Sequence, residues 1–212
     1  MIGIIELTEH MQHHWITGEP HCYLGSSSLI DLEHPAIQAY AAERSSEHRS
    51  EEQIVRETFQ FVRDEIHHSW DIQSLRVTAK ASEALEHREG ICYAKSHLLA
   101  ALLRVQGIPA GICYQRLTLG DTPETGFCIH ALNTVYLSQR GRWIRIDARG
   151  NKPGVDAQFS VGREQLAFNI REDIGERDYL TNYAEPHPKI VETLQSHNDC
   201  RLMCAHGLPA EL

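Results

Sequence analysis

Nothing in this chain approaches a membrane span: no run comes near the ~18 consecutive apolar residues that a transmembrane helix needs. A basic excess is also missing. Lys and Arg number 20 against 29 Asp and Glu, a net charge of −9 with a pI near 5.8. That balance argues against a nucleic-acid or anionic-membrane surface. The opening Met1-Ile2-Gly3-Ile4-Ile5 runs straight into Glu6, with no basic start and too short an apolar core for a signal peptide. Six cysteines without such a signal are expected as reduced thiols, not as a disulfide frame. Together these features lead to the expectation of a cytoplasmic location. No internal repeat or low-complexity tract divides the chain. With 212 residues, 42% of them hydrophobic, it fits one domain with a substantial core.

What is present centres on Arg88-Glu89-Gly90-Ile91-Cys92-Tyr93-Ala94-Lys95-Ser96-His97. Apolar or small residues at 94, 98, 99, 102, 103 and 105 follow the i, i+3, i+4 pattern of a helix. Gly107 and Pro109 stop it. Cys92 therefore sits at the first turn of a buried helix. Unpaired N–H groups and the positive end of the helix dipole favour a thiolate at such a position. The plainer alternative is a small apolar residue packing a helix end.

Upstream, Ile2, Ile4 and Ile5 suit the start of a strand, and His10, His13 and His14 have the spacing of metal ligands on one helix turn. Asp31-Leu32-Glu33-His34-Pro35 reads as the start of a helix reaching about Glu43, with proline near its first position. Ser50-Glu51-Glu52-Gln53 is a capping-box signature, and the helix behind it ends near His67-His68-Ser69-Trp70. A short helix carrying Ala79, Ala81, Ala84 and Leu85 follows, with Ser82 available as its cap. Beyond Pro109 the pattern changes to strands over 110–119, 129–137 and 142–147, an antiparallel meander. Residues 165–170 suit a further strand and 189–197 a last helix. Helices first and strands after give an α+β domain, with the nucleophile helix packed on an antiparallel sheet.

A thiol at a helix start needs a base within roughly 3 Å, and the base needs an orienting group. His130 falls near the start of one strand and Asp147 at the end of the next. Adjacent antiparallel strands can bring the two together on one face, though the sequence does not fix the parity. The aspartate would hold one imidazole N–H while the other nitrogen faces Cys92. The backbone N–H of Cys92 is a candidate oxyanion donor, and Trp70 or Gln73 a candidate side-chain donor from the preceding loop.

Three blocks in this order resemble the transglutaminase-like superfamily, whose core is similar to that of papain-type cysteine proteases. They are Ala81-Ser82-Glu83-Ala84-Leu85 leading to Gly90-Ile91-Cys92, then His130-Ala131 with Val135-Tyr136, then Trp143-Ile144-Arg145-Ile146-Asp147-Ala148-Arg149. Phe61-Val62-Arg63-Asp64-Glu65-Ile66 is similar to a helix that members carry upstream. The resemblance covers about 50–150, with an N-terminal helical region at 31–68 and a C-terminal strand and helix extension at 158–212. It implies a papain-like fold with Cys92 as nucleophile, His130 as general base and acid, and Asp147 as orienting carboxylate. One departure stands out: members often carry an aromatic residue two places after the histidine, where this chain has Leu132.

The chemistry implied is acyl transfer from amide bonds of peptides or proteins through a thioester, with no metal or cofactor required. Water as acceptor gives a protease or amidase; an amine gives a transglutaminase-type transferase. Arg116, Arg140, Arg142, Arg145 and Arg149 on the meander would repel a lysine acceptor, which leads to the expectation of hydrolysis. Two alternatives keep the same fold: an arylamine N-acetyltransferase-like enzyme, and a catalytically silent binding domain. A third is metal binding by Cys200 and Cys204 with flanking His197 and His206. The oligomeric state is left open.

Overall fold

The computed structural model describes residues 17–44 and 49–212. The N-terminal isoleucines and the triplet His10, His13 and His14 lie outside the described residues.

Helix α1 (Pro35–Glu43) begins with proline at its first turn, and His34 caps it through the ring nitrogen. Helix α2 (Glu51–Glu65) carries the capping box in full: Gln53 N donates to Ser50 Oγ at 3.3 Å, and Ser50 N donates to Gln53 Oε1 at 2.8 Å. Its apolar stripe, Val55, Phe59 and Val62, is buried. After α2 the chain makes strand β1 (His67–His68), which pairs in parallel with β2 (Glu89–Gly90). Helix α3 (Ala81–His87) lies between them. Ser82 is not its cap. It lies inside the first turn, and the distant carboxylate of Asp31 accepts from both Ser82 N at 3.0 Å and Ser82 Oγ at 2.6 Å.

Helix α4 (Cys92–Arg104) is the axis of the core, with every residue from Tyr93 to Arg104 buried. It packs against α2 and α3 on one side and against strands β3 (Ala110–Thr118) and β4 (Phe127–Leu137) on the other. A helix buried all round contributes through area, at roughly 1.5–3 kcal/mol for each fully buried leucine-sized side chain. Its end is fixed as the sequence suggests. Gly107 takes φ +78°, and Ile108 N–H closes back onto Leu103 O at 3.0 Å. The buried Arg104 guanidinium donates to Ala110 O, Gly25 O and Ala184 O.

Strand β5 (Arg142–Ile146) and β6 (Arg177–Tyr183) complete an antiparallel sheet of order β5-β4-β3-β6. The β3–β4 ladder runs from Ala110↔Val135 to Thr118↔Phe127 and the β4–β5 ladder from Leu137↔Arg142 to Asn133↔Ile146. Residues 165–170 form no strand, only an isolated bridge from Gln165 to Gln158. The fourth strand is instead β6, on the free edge of β3. A strap crosses β3 here: Thr134 Oγ1 donates to Asn182 Oδ1 at 2.7 Å, directly over Gly111. A Cβ at 111 would lie 1.9 Å from that Asn182 oxygen, so only glycine allows it. Helix α5 (Pro188–Ser196) and a short α6 (Cys200–Leu202) follow, and the tail hydrogen-bonds β4 where Ile129 N meets Pro209 O at 2.9 Å.

Candidate active site

Cys92 is the first residue of α4. Ile91, extended at φ −73° and ψ 173°, stands in the cap position and supplies no side-chain acceptor. The first N–H groups of the helix are thus left without a side-chain cap beside a half-buried thiol. Gly90 stands immediately upstream where space is tight, since a Cβ there would lie 3.0 Å from Ala94 Cβ and 3.1 Å from Thr78 Oγ1. Lys95, one turn on, is buried, and its ammonium donates to Ile66 O, which ties the end of α2 to the start of this helix.

His130 lies on β4, with its Nε2 2.8 Å from Asp147 Oδ2 and the Cys92 side chain near enough to interact with the ring. Asp147 follows one residue after the last β4–β5 pair, Asn133↔Ile146, so it meets His130 at the point where the ladder opens. The carboxylate is wholly buried and saturated: Oδ2 also accepts from Ala167 N at 3.0 Å, and Oδ1 from Arg149 N at 3.1 Å. Burial pushes the Asp147 carboxyl up, but the charge and hydrogen bond of His130, with the two backbone donors, outweigh it and hold it below its ordinary value. Burial likewise pushes His130 down, yet the charges and hydrogen bonds of Asp147 and Cys92 raise it to about 10. The pair is therefore an imidazolium held between a carboxylate and a sulfur.

The three side chains border a cleft of about 660 Å³. Phe168 closes one wall, its ring edge-on to His130 with centroids 5.1 Å apart at 88°. This residue had no sequence signal, since it sits in irregular chain far from either strand. It supplies the ring that Leu132 does not; Leu132 is buried and is not among the cleft residues. A second unforeseen group ties the cleft floor. Arg149 Nη2 donates to Asp71 Oδ1 at 2.9 Å, and Lys152 Nζ donates to the same oxygen at 2.8 Å, fastening the loop after β1 to the loop after β5.

The candidate oxyanion donors are separated by the structure. The Cys92 N–H belongs to the cleft, and Trp70 lines it while 39% exposed. Gln73 does not reach it: its backbone is at φ +53°, and its amide donates to Trp70 O at 2.6 Å. His68, not singled out from the sequence, does line the cleft. Four of the five arginines read from the meander are spent on ion pairs, and Arg142 donates to Val161 O. Arg116 meets Glu211, Arg140 meets Glu52, Arg145 meets Glu164 and Asp178, and Arg149 meets Asp71. Of the five only Arg149 lines the cleft, so local repulsion of a lysine acceptor loses its basis. Cys128 and Cys204 also line it. Burial, with the nearby Cys92 charge, pushes the Cys128 thiol up to about 12. Cys200 and Cys204 lie 3.9 Å apart at sulfur, while His197 Nδ1 turns to Thr193 O; among the described residues no group of three or more metal-ligating side chains forms.

The sequence profile of the transglutaminase-like superfamily matches residues 38–148, just over half of the chain, from within α1 to just past Asp147. The chain belongs to that superfamily. Among solved structures it is similar to a protein of Cytophaga hutchinsonii described as a candidate cysteine protease, with 20% identity over 63% of this chain and 43% of that one and a TM-score of 0.49. It is also similar to the periplasmic domain of TgpA from Pseudomonas aeruginosa, with 19% identity, 62% and 48% coverage and a TM-score of 0.46. A third similarity is to a TGase, with 24% identity, 69% and 37% coverage and a TM-score of 0.41. The chain spans less than half the length of each of these structures. No curated protein matches it in sequence. Among the described residues no helix is long and apolar enough to cross a membrane.

Proposed function

We propose that this protein is a cysteine-dependent acyl-transfer enzyme acting on amide bonds of peptides or proteins. One observation carries the reading: a half-buried thiol at an uncapped helix start stands beside an imidazole, which is fixed in turn by a buried carboxylate with both oxygens engaged.

The Cys92 sulfur attacks the substrate carbonyl, forming the C–S bond while the π pair moves to oxygen. His130 carries the proton as imidazolium and delivers it to the departing amine as the C–N bond breaks. Asp147 holds the imidazole in the required tautomer and stabilises its charge. Water or a second amine then takes the acyl group from sulfur, with neutral His130 accepting the proton of the incoming nucleophile. The cationic side chains at the cleft, Arg149, Lys152 and Arg171, are each paired with a carboxylate, and the same cleft is lined by the apolar Ile91, Leu117, Phe168 and Leu208.

The test supplies peptide amide substrates with and without a primary amine and follows both free acid and amine adduct. Turnover that disappears in Cys92→Ala supports the reading, and the product ratio names the acceptor. A wild-type chain that forms no thioester with any amide or activated ester would be the outcome expected of a silent binding domain.

A further inference from the structure

Among the described residues, His68 is the one histidine bordering the cleft apart from His130. Its backbone is locked to the nucleophile segment by the parallel β1–β2 pair. His68 sits opposite Gly90, two residues before Cys92, and the flanking bonds His67 N to Arg88 O at 2.8 Å and Ser69 N to Gly90 O at 3.2 Å hold the register. The buried Lys95 ammonium adds a third tie by gripping Ile66 O, just ahead of β1.

The imidazole itself is left unfinished. Its Nδ1 is buried and has no hydrogen-bond partner. Leaving such an atom unpaired costs roughly 1–3 kcal/mol, and native structures keep few of them. Burial and the nearby Arg149 charge hold His68 well below the ordinary histidine value, against the opposing pull of Asp71. That shift favours the neutral ring, with one N–H to give, and among the described residues no hydrogen bond to Nδ1 fixes which nitrogen carries it. A neutral imidazole suits a developing oxyanion, because it donates a hydrogen bond without competing to protonate the sulfur.

We infer that His68 is the side-chain donor that stabilises the tetrahedral oxyanion formed on Cys92, beside the Cys92 backbone N–H. The inference rests on the acyl-transfer reading and assigns to that reaction a residue that neither the triad nor the ion pairs of the cleft use. Trp70 is more exposed, and Gln73 has its amide engaged elsewhere.

The experiment separates acylation from simple thiol reactivity. p-Nitrophenyl acetate acylates Cys92 through a tetrahedral oxyanion: the C–S bond forms, the ester C–O bond breaks and p-nitrophenolate leaves. Iodoacetamide alkylates the same sulfur by displacing iodide, with no oxyanion. In His68→Phe, acylation is expected to slow on the order of 10²–10³-fold, the usual effect of removing one oxyanion donor, while alkylation of Cys92 stays within about twofold. His68→Gln, which restores a neutral N–H donor, returns acylation to within about tenfold of wild type. His68→Leu serves in place of His68→Phe if the latter does not fold. Equal loss of acylation and alkylation in the donor-less variant makes His68 a structural residue and overturns the inference, as does unchanged acylation. Wild-type Cys92 that alkylates but never acylates overturns the acyl-transfer reading itself, and this inference with it.

Discussion

The two ends of the candidate cleft are built in opposite ways. At the Asp147 end every acceptor is used: the carboxylate takes His130 Nε2, Ala167 N and Arg149 N, and the ring it orients is packed edge-on by Phe168. At the Cys92 end polar groups are left over. The first turn of α4 has no side-chain cap, and the imidazole of His68 has a buried nitrogen without a partner. Both ends are wholly or partly buried, so the difference is not one of solvent access. It matches what each end does in the proposed reaction. The base must keep one orientation through the cycle, and saturation supplies that. The nucleophile end meets charge only in the transition state, and donors already spent in the free enzyme could not meet it.

Breaking the saturated end is expected to give the largest effect. His130→Ala removes the proton carrier and lowers acylation of Cys92 on the order of 10⁴-fold or more. Asp147 keeps its two backbone donors in this variant, so the chain still folds. Parallel stopped-flow acylation and thermal melts check both halves. A variant that melts far below wild type would make His130 part of the scaffold.

Asp147→Asn comes next, at about 10³–10⁴-fold in kcat/KM, with a pH signature that a packing defect would not produce. With Asp147 in place, His130 stays protonated up to about 10. Removal of the carboxylate charge moves the alkaline limb of the rate profile to lower pH. Stability follows the same linkage. A histidine raised in the folded chain stabilises fully below its unfolded value near 6.5, and that contribution is lost as pH climbs toward about 10. Asp147, held below its ordinary value, contributes above about pH 4 and loses its contribution as pH falls through its depressed folded value. The wild-type melting temperature therefore carries a component that declines from pH 6.5 to 9, and in Asp147→Asn that component flattens.

Gly111→Ala sharpens the comparison from outside the cleft. The new Cβ meets the Asn182–Thr134 strap, so stability drops by about 1–3 kcal/mol in urea unfolding. Acylation per folded molecule stays as in wild type, since the strap crosses the sheet and does not border the cleft. The smallest effect belongs to Gln73→Ala. Its amide serves only the local Trp70 carbonyl, and acylation changes less than about twofold; a larger loss would return Gln73 to the oxyanion site.

The sequence made the saturated end legible and left the unsaturated end obscure. Cys92, His130 and Asp147 each sit at an element boundary with its own local signal: a helix start between Gly90 and an apolar run, and the ends of two patterned strands. Capping and stop signals also placed α2 and the end of α4 closely, because they act within a few residues. Contacts that close over distance gave no such signal. Phe168 reaches His130 from irregular chain, and Asp31 caps α3 from 51 residues away while the nearer Ser82 does not. His68 looked like the tail of a helix until its pairing with Gly90 set it beside the nucleophile. The fourth strand was missed for a related reason. Its ties to the sheet, Asn182 with Thr134 over Gly111 and Asp178 with Gln115, close over long stretches of chain.

Trapping the acyl-enzyme tests the central claim most directly. The chain is mixed with p-nitrophenyl acetate or a peptide ester, quenched in acid within the burst, digested and mapped by mass spectrometry. A thioester on Cys92, absent from Cys22, Cys113, Cys128, Cys200 and Cys204 and lost in His130→Ala, is the predicted result. An acyl group spread over the exposed thiols, or one on Cys92 that forms as fast without His130, would contradict it.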